Sequence, residues 1–205
     1  MIALLEGLRV DALGVNCSLG PAQMKKLVPV FARYASLPII VNPNAGLPHS
    51  EDGRTIYDVG PEDFAAEMTE IVRLGARIVG GCCGTTPEYM RRMIEQVRAI
   101  APLPLSTKPH TLVSSYTQAV EMGPSPILIG ERLNPTGKKR MKEALKREAM
   151  GYILNEGLKQ ADQGAHVLDV NVGLPGIDEA GMMCRVVEEL QAVTDLPLQI
   201  DSSSP

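Results

Sequence analysis

Four cysteines occur in 205 residues, and three of them fall where a parallel α/β fold does its chemistry. Asp11–Asn16 reads as a short buried strand that closes on Gly14-Val15-Asn16-Cys17-Ser18. Arg77–Gly80 reads as another, closing on Gly80-Gly81-Cys82-Cys83-Gly84. Functional groups of such folds collect at the carboxyl ends of the strands, so Cys17, Cys82 and Cys83 are expected on one rim. Adjacent cysteines do not easily bond to each other, but flanking glycines let both turn toward one ion. Zinc held by three protein ligands with an open fourth position is the catalytic arrangement. The alternative is that three small thiols pack a strand end, for which two in succession in a Gly-rich loop are a poor choice. Cys184, beside Met182 and Met183 in a helical stretch, reads as core filler.

Polar groups gather at three further strand ends. Ile127–Gly130 runs into Glu131-Arg132-Leu133-Asn134-Pro135, His166–Val170 carries Asp169 into Asn171 and Gly173, and Pro197–Asp201 ends on Asp201. Carboxylates and amides so placed suit a flat, donor-rich heterocycle such as a pterin ring. An ionised Asp accepts paired N–H bonds from its amino-pyrimidine edge. Asp169 and Asp201 would equally serve as caps of loops or following helices, and spacing alone does not choose. His49, His110 and His166 are scattered and read as solvated or packed. Lys138-Lys139-Arg140, followed by Glu143, reads as a solvated helix start. The Pro43–Pro48 loop is placed to shape a substrate mouth.

The elements that must position these residues alternate. Six short apolar strands are predicted: the five named above and Pro38–Asn42. Helical patterns lie between them over Pro21–Ala35, Pro61–Leu74, Pro87–Ile100, about 138–163 and about 178–193. Pro61–Leu74 sets Phe64, Met68, Ile71 and Val72 on one face, and Thr85-Thr86 offers an N-cap before Pro87. Strand and helix in alternation mean a parallel α/β architecture. The alternation fails only over 101–125, a Pro-, Ser- and Thr-rich stretch that reads as a linker between residues 1–100 and 126–205. Three strands precede it and three follow. A (β/α)8 barrel needs eight strands and about 250 residues, so each half is a partial barrel at most.

Composition narrows the function classes. Lys plus Arg number 20 against 24 Asp plus Glu, a net charge of −4, which argues against a nucleic-acid surface. Aromatics are scarce, with no Trp and two Phe, so the core must be aliphatic. No apolar run approaches the roughly 18 residues of a membrane helix, and no membrane partner is expected. The N-terminal stretch lacks a basic region and a cleavage site of the secretory kind. A cytoplasmic, reducing compartment is the expectation, so the cysteines are not a disulfide framework.

The same residues carry a resemblance. GVNCS, then Pro43-Asn44-Ala45-Gly46, then GGCCGTTPEYM from Gly80 resemble the last three βα units of the homocysteine S-methyltransferase barrel, over about residues 1–100. The resemblance implies that Cys17, Cys82 and Cys83 bind zinc and that the open position receives the homocysteine sulfur. IGERLNPTGKK, HVLDVNVG and LPLQIDSSSP resemble the opening of the pterin-binding barrel of methyltetrahydrofolate-dependent methyltransferases and dihydropteroate synthase. That likeness implies that Asp201 holds the pterin ring and that Asn134, Asp169 and Asn171 line the same mouth. The GERxNPxG form favours the methyltransferase branch. The two barrels in this order are similar to the cobalamin-dependent methionine synthase family, in which 5-methyltetrahydrofolate is the methyl donor and homocysteine the acceptor.

No cobalamin-binding Asp-x-His-x-x-Gly is present, so cobalamin would be held by another domain or subunit. The chain is expected to be an internal segment, inactive by itself, with Val79, Ile129, Leu168 and Ile200 partly uncovered. Rival readings are a homocysteine methyltransferase using betaine or S-methylmethionine, fused to another domain, and a non-catalytic zinc-binding module.

Overall fold

In the computed structural model residues 1–107, 110–123 and 125–204 are described. Contacts divide the chain into two compact units, one ahead of residue 108 and one from His110 onward. The N-terminal unit contains α1 (Ile2–Gly7), β1 (Leu13–Asn16), α2 (Pro21–Lys25), α3 (Val28–Tyr34) and β2 (Ile39–Asn42). A hairpin of β3 (Pro48–Glu51) and β4 (Arg54–Tyr57) follows, then α4 (Pro61–Arg73), β5 (Ala76–Val79) and α5 (Pro87–Val97). The strands form a parallel sheet in the order β1-β2-β5, with Leu13 opposite Ile39 and Val41 opposite Val79.

Helix α4 forms where the sequence favours one. Pro61 sits in its first turn, Glu62 and Asp63 follow where the helix dipole favours acids, and Arg73 closes the last turn. Phe64, Met68, Ile71 and Val72 are its buried face, and the first three pack with Leu13, Met24, Phe31, Ile39 and Val41 into one core. Phe64 also meets Tyr89 of α5 edge-on, with ring centroids 5.5 Å apart. The single helix expected over Pro21–Ala35 is two, because Pro29 lacks the N–H that a continuous helix needs there.

The C-terminal unit opens with the hairpin β6 (Thr111–Ser114) and β7 (Ala119–Met122), which lies inside the stretch expected to lack periodicity. It continues with β8 (Ile129–Leu133), α6 (Lys139–Lys146), α7 (Met150–Asp162), β9 (Val167–Val170), α8 (Glu179–Val193) and β10 (Leu198–Ile200). Its parallel sheet runs β8-β9-β10. The helical stretch expected over about 138–163 breaks where Glu148 takes a left-handed φ of 50°. The ladder between β8 and β9 shifts between Gly130 and Leu133. There the buried Gln160 of α7 turns its side-chain oxygen to the Arg132 amide at 2.8 Å, so that donor is not stranded.

Two expectations about single residues fail here. Leu168 is not partly uncovered but fully buried, because β9 is the central strand and Leu168 packs with Ile153 of α7 and Leu190 of α8. Cys184 is exposed, because α8 buries Met182, Val186 and Leu190 at four-residue spacing and Cys184 falls off that face. Ile129 and Ile200 are 39% and 54% exposed. The architecture is mixed α/β with parallel sheets, of the kind a βα-barrel repeats. Among the described residues no helix is long and apolar enough to cross a membrane.

Candidate metal centre and polar strand ends

Cys17 follows β1, and Cys82 and Cys83 follow β5, at opposite edges of a three-stranded sheet. What brings them together is the loop after the middle strand. Its Pro43 carbonyl accepts the Cys82 amide at 2.8 Å, and its Ala45 amide donates to the Cys83 carbonyl at 2.9 Å. Asn44, 3% exposed, accepts the Cys83 amide on its side-chain oxygen at 3.1 Å. Its own amide donates to the Leu19 carbonyl at 2.9 Å, and the Asn42 carbonyl accepts the Cys17 amide at 3.0 Å. The end of β2 and the loop after it therefore fix all three cysteine backbones.

The backbone bends sharply to present the thiols. Cys17 and Ser18 both adopt left-handed φ, 64° and 65°, without being glycine, at a cost of order 1–3 kcal/mol each. Strain of that kind persists only where surrounding contacts over-determine it, as they do here. The Cys17 and Cys83 sulfurs are 3.7 Å apart, and those of Cys82 and Cys83 3.8 Å. All three sulfurs lie within 4.8 Å of one another. Of Thr85-Thr86, Thr86 takes the N-cap position of α5 without a side-chain capping bond, and Thr85 donates its hydroxyl to the Cys82 carbonyl at 2.7 Å and braces the turn.

The thiols are not equivalent. The Ser18 backbone amide, then hydrogen bonds from Cys82 and Cys83, pull the Cys17 thiol below its ordinary value. Hydrogen bonds with Cys17 and Cys83, followed by burial, push Cys82 up. Cys17 thus yields the thiolate that a metal takes more readily than Cys82. Three sulfurs are a soft donor set suited to zinc. At a Zn–S length near 2.3 Å, tetrahedral sulfurs stand about 3.8 Å apart, and the two measured separations fit.

In the C-terminal unit Asn171 and Asp201 meet directly, the Asn171 side-chain amide donating to the Asp201 carboxylate at 2.9 Å. Asp169, 6% exposed, accepts from the Gln199 side chain at 2.9 Å. Burial first, then the charges of Asp201 and Glu131, raises its pKa. Asn134 follows β8, whose Leu133 carbonyl accepts the Asn171 amide at 2.8 Å, and its side-chain oxygen accepts the Thr136 amide at 2.8 Å. Capping of α8 falls to Asp178, which accepts the Gly181 amide, so neither Asp169 nor Asp201 is spent on that task.

Four participants escaped the sequence reading. Asn44 stands in the sequence only as part of a motif, and Tyr57, whose ring packs against Gly84, belongs to an unexpected hairpin. Gln199 is found by its register opposite Asp169. Lys138 reads as a solvated helix start, yet its ammonium pairs with the Glu131 carboxylate at 2.9 Å. Only strand parity carried a signal for Gln199, since alternate residues share a face.

Comparison with known proteins places both units. The family model for homocysteine S-methyltransferase matches residues 1–97, and that for pterin binding enzymes matches residues 130–205. The chain is 34% identical over 98% of its length to methionine synthase of Mycobacterium leprae (strain TN). It is likewise 34% identical over 98% of its length to methionine synthase of Mycobacterium tuberculosis (strain ATCC 25618 / H37Rv). It spans 17% of the length of each. The two family matches thus follow one another along a single stretch that is similar to part of methionine synthase.

Proposed function

We propose that this chain is the junction of the homocysteine and folate modules of a cobalamin-dependent methionine synthase. In this reading residues 1–100 are the closing βα units of one (β/α)8 barrel, 101–125 the connection, and 126–205 the opening of a second. The reaction is methyl transfer from 5-methyltetrahydrofolate through cobalamin, carried by a domain or subunit outside this chain, to homocysteine, giving methionine. The observation that carries the reading is the sulfur triad, two of whose separations are 3.7 and 3.8 Å.

Cys17, Cys82 and Cys83 would hold zinc, which when bound favours the thiolate of homocysteine at neutral pH. Residues 42–45 present the cysteines through their hydrogen bonds, so the thiols need little rearrangement to ligate. Asp201 would accept N–H bonds from the amino-pyrimidine edge of the pterin, with Asn171 fixing the carboxylate from the side. Asp169 and Asn134 would line the same mouth. A reducing cytoplasmic compartment suits three thiols that must stay free to bind metal.

Zinc content together with calorimetric titration of homocysteine and methyltetrahydrofolate tests the reading. One equivalent of zinc, with homocysteine binding lost on its removal, is expected for the N-terminal unit. A chain that takes up no zinc overturns the reading.

A further inference from the structure

Strand parity sets the two faces of the C-terminal sheet. Leu168 and Val170 of β9 pack with Ile153 of α7 and Leu190 of α8. Asp169 and Asn171 therefore fall on the face away from those helices, where the register sets Gln199 of β10 opposite Asp169. Asp201, two residues beyond Gln199, shares that face. The two strands thus carry a carboxylate and an amide in opposite order.

Each amide donates to the carboxylate beside it. Gln199 reaches one Asp169 oxygen at 2.9 Å, and Asn171 reaches one Asp201 oxygen at 2.9 Å. Asp169 is 6% exposed, and among the described residues its carboxylate accepts from Gln199 alone. A carboxylate so buried is costly to ionise without a donor. The charges around it add to that cost, with Asp201 after β10 and Glu131 of β8 repelling it and Lys138, paired with Glu131, opposing them. The Gln199 bond favours the ionised form.

We propose that Gln199 is a positioning residue for Asp169, its side-chain amide holding one carboxylate oxygen and leaving the other to accept from the pterin. This rests on the folate reading above. A reduced pterin presents N–H donors on its ring and amino group, and an ionised carboxylate with one oxygen free accepts them. Gln199 thereby does for Asp169 what Asn171 does for Asp201. Without it the carboxyl turns freely and takes a proton at higher pH, and a protonated oxygen meets a pterin N–H with a donor of its own.

The test follows binding of 5-methyltetrahydrofolate by calorimetry from acid to neutral pH, in the full-length protein of that reading. Gln199→Met keeps the side-chain length without the donor, and Gln199→Glu keeps the shape with a carboxyl in place of the amide. Either variant carries the test if the other fails to fold. Affinity falls on the acid side as Asp169 takes its proton. That limb is expected to move up by about one pH unit in Gln199→Met, and further in Gln199→Glu, with affinity at neutral pH about tenfold lower. In an Asp169→Asn background, where Asp201 still titrates, Gln199→Met is expected to leave the limb in place. A limb that neither variant moves, whether or not affinity falls, overturns this inference alone and leaves Gln199 a packing residue. A parent protein that does not bind 5-methyltetrahydrofolate overturns the folate reading, and this inference with it.

Discussion

The Asn44 side-chain oxygen accepts the Cys83 amide at 3.1 Å from a position 3% exposed, joining the loop after β2 to the loop after β5. No water can replace that oxygen easily. Asn44→Ala leaves the Cys83 N–H without its acceptor, and a part-buried donor so stranded costs about 1–3 kcal/mol. Urea unfolding followed by circular dichroism should register that loss. A midpoint equal to the parent's would mean that the Cys83 amide finds another partner.

Removal of one thiol should cost the metal. Cys82→Ala leaves two sulfurs, too few to hold zinc in the three-ligand manner of a catalytic site, so zinc content after dialysis should drop sharply. The variant's fold should survive, since Cys82 is only partly buried and alanine fits its space. Zinc retained in full by Cys82→Ala would remove Cys82 from the site.

Much of this site was legible because it follows from strand ends. Six strands were readable as apolar runs, and their carboxyl ends located Cys17, Cys82, Cys83, Asn134, Asp169, Asn171 and Asp201 before any coordinates. The hairpin β3–β4 was not readable: its residues are exposed, so no alternation marks them, and Tyr57 was invisible with it. The helix breaks at Pro29 and Glu148 were missed because the apolar spacing on either side is compatible with one long helix. Cys184 was misplaced by its methionine neighbours; register on α8 decides, burying Met182 and partly covering Met183 while leaving Cys184 exposed.

Asp201 should matter to folate more than to folding. Within a complete pterin-binding barrel, Asp201→Asn keeps one acceptor but presents an N–H where the pterin also donates. Binding of methyltetrahydrofolate should weaken by roughly 1.5–3 kcal/mol, the range of a charge-assisted hydrogen bond. Because Asn171 donates to Asp201, the substitution also sets two amides together, and Asn171→Ala should show part of the same loss. Calorimetry on both variants measures it; unchanged affinity in Asp201→Asn would leave Asp201 a purely structural acceptor for Asn171.

Asp169 makes stability depend on pH in a defined direction. Burial, then Asp201 and Glu131, raise its folded pKa above the ordinary carboxyl value. Between those two values the folded state keeps a proton that the unfolded chain has released, so stability falls as pH rises through that window and stays lower above it. Asp169→Asn should remove that decline, since Asn still offers an oxygen to Gln199. Denaturation midpoints from acid to neutral pH should therefore fall less steeply in the variant. An identical pH profile in the two chains would show that Asp169 titrates normally.

The two sheets expose what a closed barrel would cover. Each has three strands, with β1 and β5 outermost in one and β8 and β10 in the other. Ile78, Ile129 and Ile200 are 47%, 39% and 54% exposed. Outer strand edges and apolar strand residues favour association, so sedimentation should show concentration-dependent oligomers of the isolated 205 residues. The chain spans 17% of the methionine synthases it matches, and its C-terminal unit has three parallel strands against the eight that enclose a barrel mouth. Zinc should bind to it, yet mixing with methylcobalamin and homocysteine should give no methionine. Turnover abolished by Cys83→Ala would overturn that expectation and show that a sulfur triad on half a barrel suffices for the second methyl transfer.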